Sequence, residues 1–181
     1  MFLFPLPLAQ IAADVSNAKI ANMPVSGRLA GKSFVPTRVE LQSLGLSKVT
    51  VADKVVDQSR QYILLFRTGK EFFADAEIKV WLTFDDGTPI APRTWHWKPT
   101  SFGTDAHRAQ SYPKKSSQGS VGRGITSVHY NPPSEMVQEG YSANLQLVKQ
   151  VGRFVDGRIH LRLPDGSFLN GTFRAMVIKQ P

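Results

Sequence analysis

Apolar and polar residues alternate along most of this chain with a period of two, the spacing of half-buried β-strands. Val39 and Leu41 alternate with Arg38 and Glu40, and Val49 and Val51 with Lys48 and Thr50. Ile78, Val80, Leu82 and Phe84 alternate with Lys79, Trp81 and Thr83, and Tyr141, Ala143, Leu145 and Leu147 with Ser142, Asn144 and Gln146. Tyr62-Ile63-Leu64-Leu65-Phe66 is apolar at every position, which predicts a central strand covered on both faces. With segments near residues 25–30, 93–98 and 125–130, the pattern predicts an all-β domain of roughly nine to ten short strands, an antiparallel β-sandwich or partly open barrel with little helix. The single helical spacing, Leu8, Ile11, Ala12 and Val15, predicts one helix over residues 8–20.

The last hairpin is specified most closely. Ile159, Leu161 and Leu163 point one way and Arg158, His160 and Arg162 the other, followed by Pro164-Asp165-Gly166-Ser167. A two-residue Asp-Gly turn sets Leu163 opposite Phe168. An unbroken register would then place Arg158 against Phe173, so a β-bulge is expected at Asn170-Gly171, bringing Ile159 opposite Phe173 and Val155 opposite Val177.

The 181 residues suit one domain with one core. Residues 1–24 read as an apolar N-terminal arm or a clipped signal segment: Met1 to Ala9 is apolar but lacks a basic start and holds Pro5 and Pro7. Residues 25–181 form the β domain. Residues 99–124, rich in Gly, Ser and Pro, form a loop long enough to be functional. No apolar run approaches the about 18 residues of a membrane-spanning helix, so any membrane contact would be peripheral, through the arm.

Charge localises the chemistry. The net charge is +8, and the excess lies in the second half: residues 93–128 carry six basic and one acidic side chain, and residues 141–181 six and two. Such clustering attracts an acidic surface or polyanion. No recognised nucleic-acid motif accompanies it, so nucleic acid ranks low. Cysteine is absent, which removes disulfides, thiolate metal sites and a cysteine nucleophile.

Motifs for chemistry fall short. Gly27-Arg28-Leu29-Ala30-Gly31-Lys32-Ser33 misses the phosphate-loop spacing by one residue, and Pro36 blocks the helix such a loop needs. His96, Asp105, His107 and His129 have no metal-ligand spacing, and no serine sits in a nucleophile elbow. Neither metal nor cofactor is expected, and the chain reads as a non-enzymatic binding or structural subunit. It would dock on a larger protein assembly or acidic surface through Lys98, Arg108, Lys114, Lys115 and Arg123, with Tyr112 as an anchor, joined by the outward stripe Arg158 and Arg162. The alternative is a carbohydrate-binding module with Trp81, Trp95 and Trp97 as a stacking platform for glycan rings.

Gly27-Arg28-Leu29-Ala30-Gly31 running to Phe34 and Val39-Glu40-Leu41, with Leu161 to Asp165 and Gly171-Thr172-Phe173-Arg174-Ala175 near the other end, resembles a family of uncharacterised exported bacterial β-domains. The resemblance implies an extracytoplasmic, periplasmic or secreted, location and brings no activity with it.

Overall fold

The computed structural model describes residues 11–70, 73–85, 87–101, 125–131, 134–137 and 139–179. Among them there is no helix, and eleven strands form one curled, partly open barrel-like sheet. The strands are β1 (Ser26–Leu29), β2 (Lys32–Phe34), β3 (Arg38–Val51), β4 (Lys54–Lys70), β5 (Phe73–Asp85), β6 (Arg93–Trp97), β7 (Ile125–Asn131), β8 (Glu135–Val137), β9 (Ser142–Val151), β10 (Phe154–Arg162) and β11 (Phe168–Ile178). Their order is β6-β9-β10-β11-β3-β4-β5-β7-β8, with β1 added to β11 and β2 to β1. Every pairing between these strands is antiparallel except β11 with β3.

The alternating residues of both halves of the sheet meet in one core. Leu41, Leu64, Phe66, Ile78, Val80 and Phe84 pack with Leu145, Val155, Ile159, Leu161 and Leu169. The apolar run is central, as its composition requires: β4 lies between β3 and β5, and Leu64, Leu65 and Phe66 are all buried. On the outer face above Leu65, Arg67 bridges two nearly buried carboxylates, Glu77 at 3.0 Å and Glu40 at 3.5 Å. Arg38 and Lys79 complete the cluster at 3.0 and 2.6 Å.

Two expectations change, the helix over residues 8–20 and the register of the last hairpin, while the strand expected near residues 25–30 is present. Over the described part of residues 8–20 there is no helix, because that segment is bound by the sheet, as described below. The Gly27–Ser33 stretch is a hairpin, whose turn residues Ala30 and Gly31 adopt φ of 48° and 77°, the tight connection that two-residue hairpins favour. The last hairpin keeps one register throughout, with Arg162 opposite Phe168, Ile159 opposite Gly171, Gly157 opposite Phe173 and Val155 opposite Ala175. The one-residue offset is taken up in the turn. Leu163 N–H donates to Ser167 O (2.9 Å), which leaves three residues, Pro164 to Gly166, in the loop, and Gly166 takes φ 85°. No bulge forms at Asn170-Gly171; the irregularity lies between β9 and β10 at Asp156/Gly157.

This register gives Gly157 a packing role. A Cβ there would stand 2.4 Å from Phe173 Cζ and 2.9 Å from Gln146 O, so the Phe173 ring occupies the space that a side chain would fill. Gly157→Val should therefore lower stability by about 1–3 kcal/mol, read as a shift in urea midpoint at unchanged slope.

Candidate functional site

Residues 11–24 form a strap across the outer face of β6, β9, β10 and β11. Successive strands carry His96, Asn144, His160 and Asn170 at one register level, all on that face. Each holds the strap backbone in turn. His96 Nδ1 lies 2.5 Å from Ser16 O, Asn144 Nδ2 donates to Ala18 O (3.1 Å), His160 bonds the Lys19 backbone, and Ala21 N–H donates to Asn170 Oδ1 (2.9 Å). Three strand spacings span about 14 Å, which the steps from Ser16 to Ala21 cover at about 3 Å each. Val15 N–H donates to Ser142 Oγ (2.8 Å), while Ala12, Val15 and Ile20 are buried. At its exit the strap is fixed to β11, with Thr172 N–H donating to Met23 O (2.8 Å) and Val25 N–H to Thr172 O (2.9 Å).

Removing one member of the row leaves a strap backbone group unpaired. Asn144→Ala should cost about 1–2 kcal/mol and speed amide exchange across residues 15–21 without changing exchange in β4. His160 adds a pH dependence. Burial, then the neighbouring Arg162, hold its pKa below the ordinary 6.5, partly offset by the Lys19 backbone. The unfolded chain therefore binds a proton before the folded one does, and His160's contribution to stability falls as pH drops below about 6.5.

The strap divides the basic stripe of β10. Arg162 lies on one side, its guanidinium 5.4 Å from the Phe168 ring centroid; His160 lies at the strap; Arg158 emerges on the other side. Beyond the strap an open groove of about 560 Å³ is lined by Pro24, Val148, Gly157, Arg158, Thr172 and Arg174, with Asp156 and Phe173. Its floor is partly apolar and its surroundings are cationic. Arg158 Nε donates to the neutral Gln146 Oε1 at 2.6 Å. Arg174 Nε meets Asp156 Oδ1 at 2.7 Å, Lys149 lies 3.6 Å from Asp156 Oδ2, and the Arg153 guanidinium sits 5.5 Å from the Phe154 ring centroid. The hydrogen bond and charge of Arg174 hold the Asp156 carboxyl below its ordinary pKa, so it remains ionised and committed to its neighbours.

The other candidates fall in separate places. Lys98 is exposed just past β6, and its charge contributes to lowering the pKa of Asp14, chiefly set by hydrogen bonds from Ser16. Arg108, Tyr112, Lys114, Lys115 and Arg123, together with Asp105 and His107, lie outside the described residues. Trp95 and Trp97 are only 8% and 3% exposed; Trp97 stacks on Tyr141 with centroids 5.2 Å apart, and Trp95 meets Phe84 edge-on at 5.4 Å. Trp81 is half-buried on β5, its ring edge-on to His129 at 6.3 Å. The three indoles do not form one surface platform, because β6 pairs with β9 instead of folding back on β5 after the Asp85 turn. Among the described residues no group of three His, Asp or Glu side chains is placed to hold a metal ion, and no helix is long and apolar enough to cross a membrane.

Of this site the sequence marked Arg158, His160 and Arg162 by alternation. The strap row was hidden because its members stand far apart in the chain and become neighbours only once the register is known. No family model, curated protein or solved structure matches the chain.

Proposed function

We propose that this protein is a non-enzymatic binding subunit that docks an acidic protein surface in the groove beside the strap. The observation carrying this reading is the imbalance of charge there: Arg158 and Arg174 line a partly apolar floor, with Lys149 3.6 Å from Asp156, the one carboxylate of the lining, which Arg174 also holds. An acidic segment with an apolar side chain would match both features. The basic residues Lys98, Arg108, Lys114, Lys115 and Arg123, with Tyr112 as an anchor, remain part of the proposed docking chemistry through the charge they add to the chain.

The test is titration with an acidic peptide alongside capture of partners from the native source, each at low and raised salt. Affinity should fall as salt rises, and Arg158→Glu should weaken peptide binding at least about tenfold, the loss of one charge-assisted contact. The Lys114→Glu/Lys115→Glu pair should release a captured partner. Binding indifferent to salt and to every one of these reversals would overturn the reading.

A further inference from the structure

The β3–β4 hairpin runs well past the sheet that carries it. β3 pairs with β11 only over Glu40 to Gln42, and β4 meets β5 only from Ser59 onward. Among the described residues, the rest of the hairpin, from Gly45 to Gln58, pairs only within itself. At about 3.3 Å per residue, residues 45–51 alone project about 20 Å. The departure is marked by a bulge between Ser43 and Gly45, with Gly45 at φ 93°, and bulges bend a strand where they occur. The tip closes in a tight turn with Ala52 and Asp53 at φ 47° and 61°, and a second register shift falls between Val49 and Thr50, where the β4 side carries the extra residue.

This ribbon is exposed and partly apolar. Leu46 and Val55 are 42% and 52% exposed, and Lys48, Thr50 and Lys54 are also exposed. A lone two-stranded ribbon is marginally stable in water, and free strand edges are templates for further pairing. Its charge selects the partner. Residues 45–58 hold Lys48, Lys54, Asp53 and Asp57, a net charge of zero within a chain of +8. Two copies of the chain repel over most of their surfaces, and here they would not.

We propose that the free edge of β3 in this ribbon is a self-association site, pairing antiparallel with the same edge of a second copy of this chain. A twofold axis makes such contacts self-complementary. Centred on Val49, the pairing sets Thr50 opposite Lys48 of the second copy and Ser47 opposite Val51, whereas centring on Lys48 would set like charges face to face. This contact is independent of the groove proposed to dock an acidic partner, which lies on β9, β10 and β11.

The absence of cysteine makes the test direct. In full-length Val49→Cys the two thiols would fall opposite each other, at the Cα separation of about 4.5–5.5 Å found across antiparallel strands, within disulfide range. Mild oxidation should cross-link this variant at least about tenfold faster than Lys179→Cys, a control at the exposed end of β11, because pairing raises the effective thiol concentration. Sedimentation of the unmodified protein should show a concentration-dependent dimer that persists as salt rises, in contrast to groove binding. Leu46→Lys/Val55→Lys, confined to the projecting ribbon, should abolish the dimer while leaving the urea midpoint of the core unchanged. A monomer at all concentrations up to near-millimolar, or Val49→Cys cross-linking no faster than the control, would overturn the proposal.

Discussion

Gly27→Ala should cost about 3 kcal/mol or more, a large loss for a single added methyl group. Gly27 faces Leu169 across the β1–β11 pair, and a Cβ at that position would stand 1.8 Å from the Phe168 carbonyl oxygen and 2.8 Å from its carbon. Both atoms are backbone, so no side chain can swing aside. The conflict can be relieved only by parting β1 from β11. That would draw Val25, Leu29 and Phe34, all buried, away from the core, and each buried aliphatic or aromatic side chain contributes about 1.5–3 kcal/mol. Urea unfolding followed by the fluorescence of buried Trp95 and Trp97 measures the loss. A shift in midpoint equivalent to less than about 1 kcal/mol would mean that β1 does not approach β11 this closely.

Arg67→Met should be nearly as damaging, and its signature is a changed response to acid. Arg67 stands between Glu40 and Glu77, whose side chains are nearly buried, with Arg38 and Lys79 on the flanks. Removing one member of a buried charge cluster typically costs about 3–5 kcal/mol, because the remaining charges lose compensation without regaining water. Burial pushes the Glu77 pKa up, but hydrogen bonds and charge from Lys79 and Arg67 outweigh it and hold the carboxyl below its ordinary 4.5. Glu77 therefore contributes stability above about pH 4.5 that is lost as pH falls through its folded pKa. Without Arg67 that pKa rises, and acid unfolding should begin at a higher pH than in the unsubstituted protein. An unchanged acid transition would show that Lys79 alone carries Glu77.

Alternation and composition made much of the architecture legible. The placing of β4 at the centre of its neighbours followed from Tyr62 to Phe66, and the inward and outward faces of β10 from Ile159 and Arg158. Register was less accessible. One residue of ambiguity in the Pro164–Gly166 turn shifted every predicted pair of the last hairpin, and only the fit of Phe173 over Gly157 distinguishes the two pairings physically. Strand adjacency was least accessible. Nothing local in Arg93 to Trp97 says that it pairs with β9, so the alternation left a surface platform open as the alternative to core indoles, and two of the three fill the core. The same gap concealed the strap: Asn144 and Asn170 look like ordinary solvent-facing residues until the sheet brings them into line with His96 and His160.

The strap also sets the order in which the molecule can be completed. Its bonds from Val15 to Ser142 and from Ala21 to Asn170 close separations of 127 and 149 residues, and β1 has its sheet partner in β11. During synthesis residues 15–29 must wait until β9 and β11 have emerged. Such long-range closure slows folding and leaves early strands unprotected in the interval. A nascent chain stopped before β11 should therefore keep residues 11–29 open to protease, and emergence of β11 should close that site late in folding.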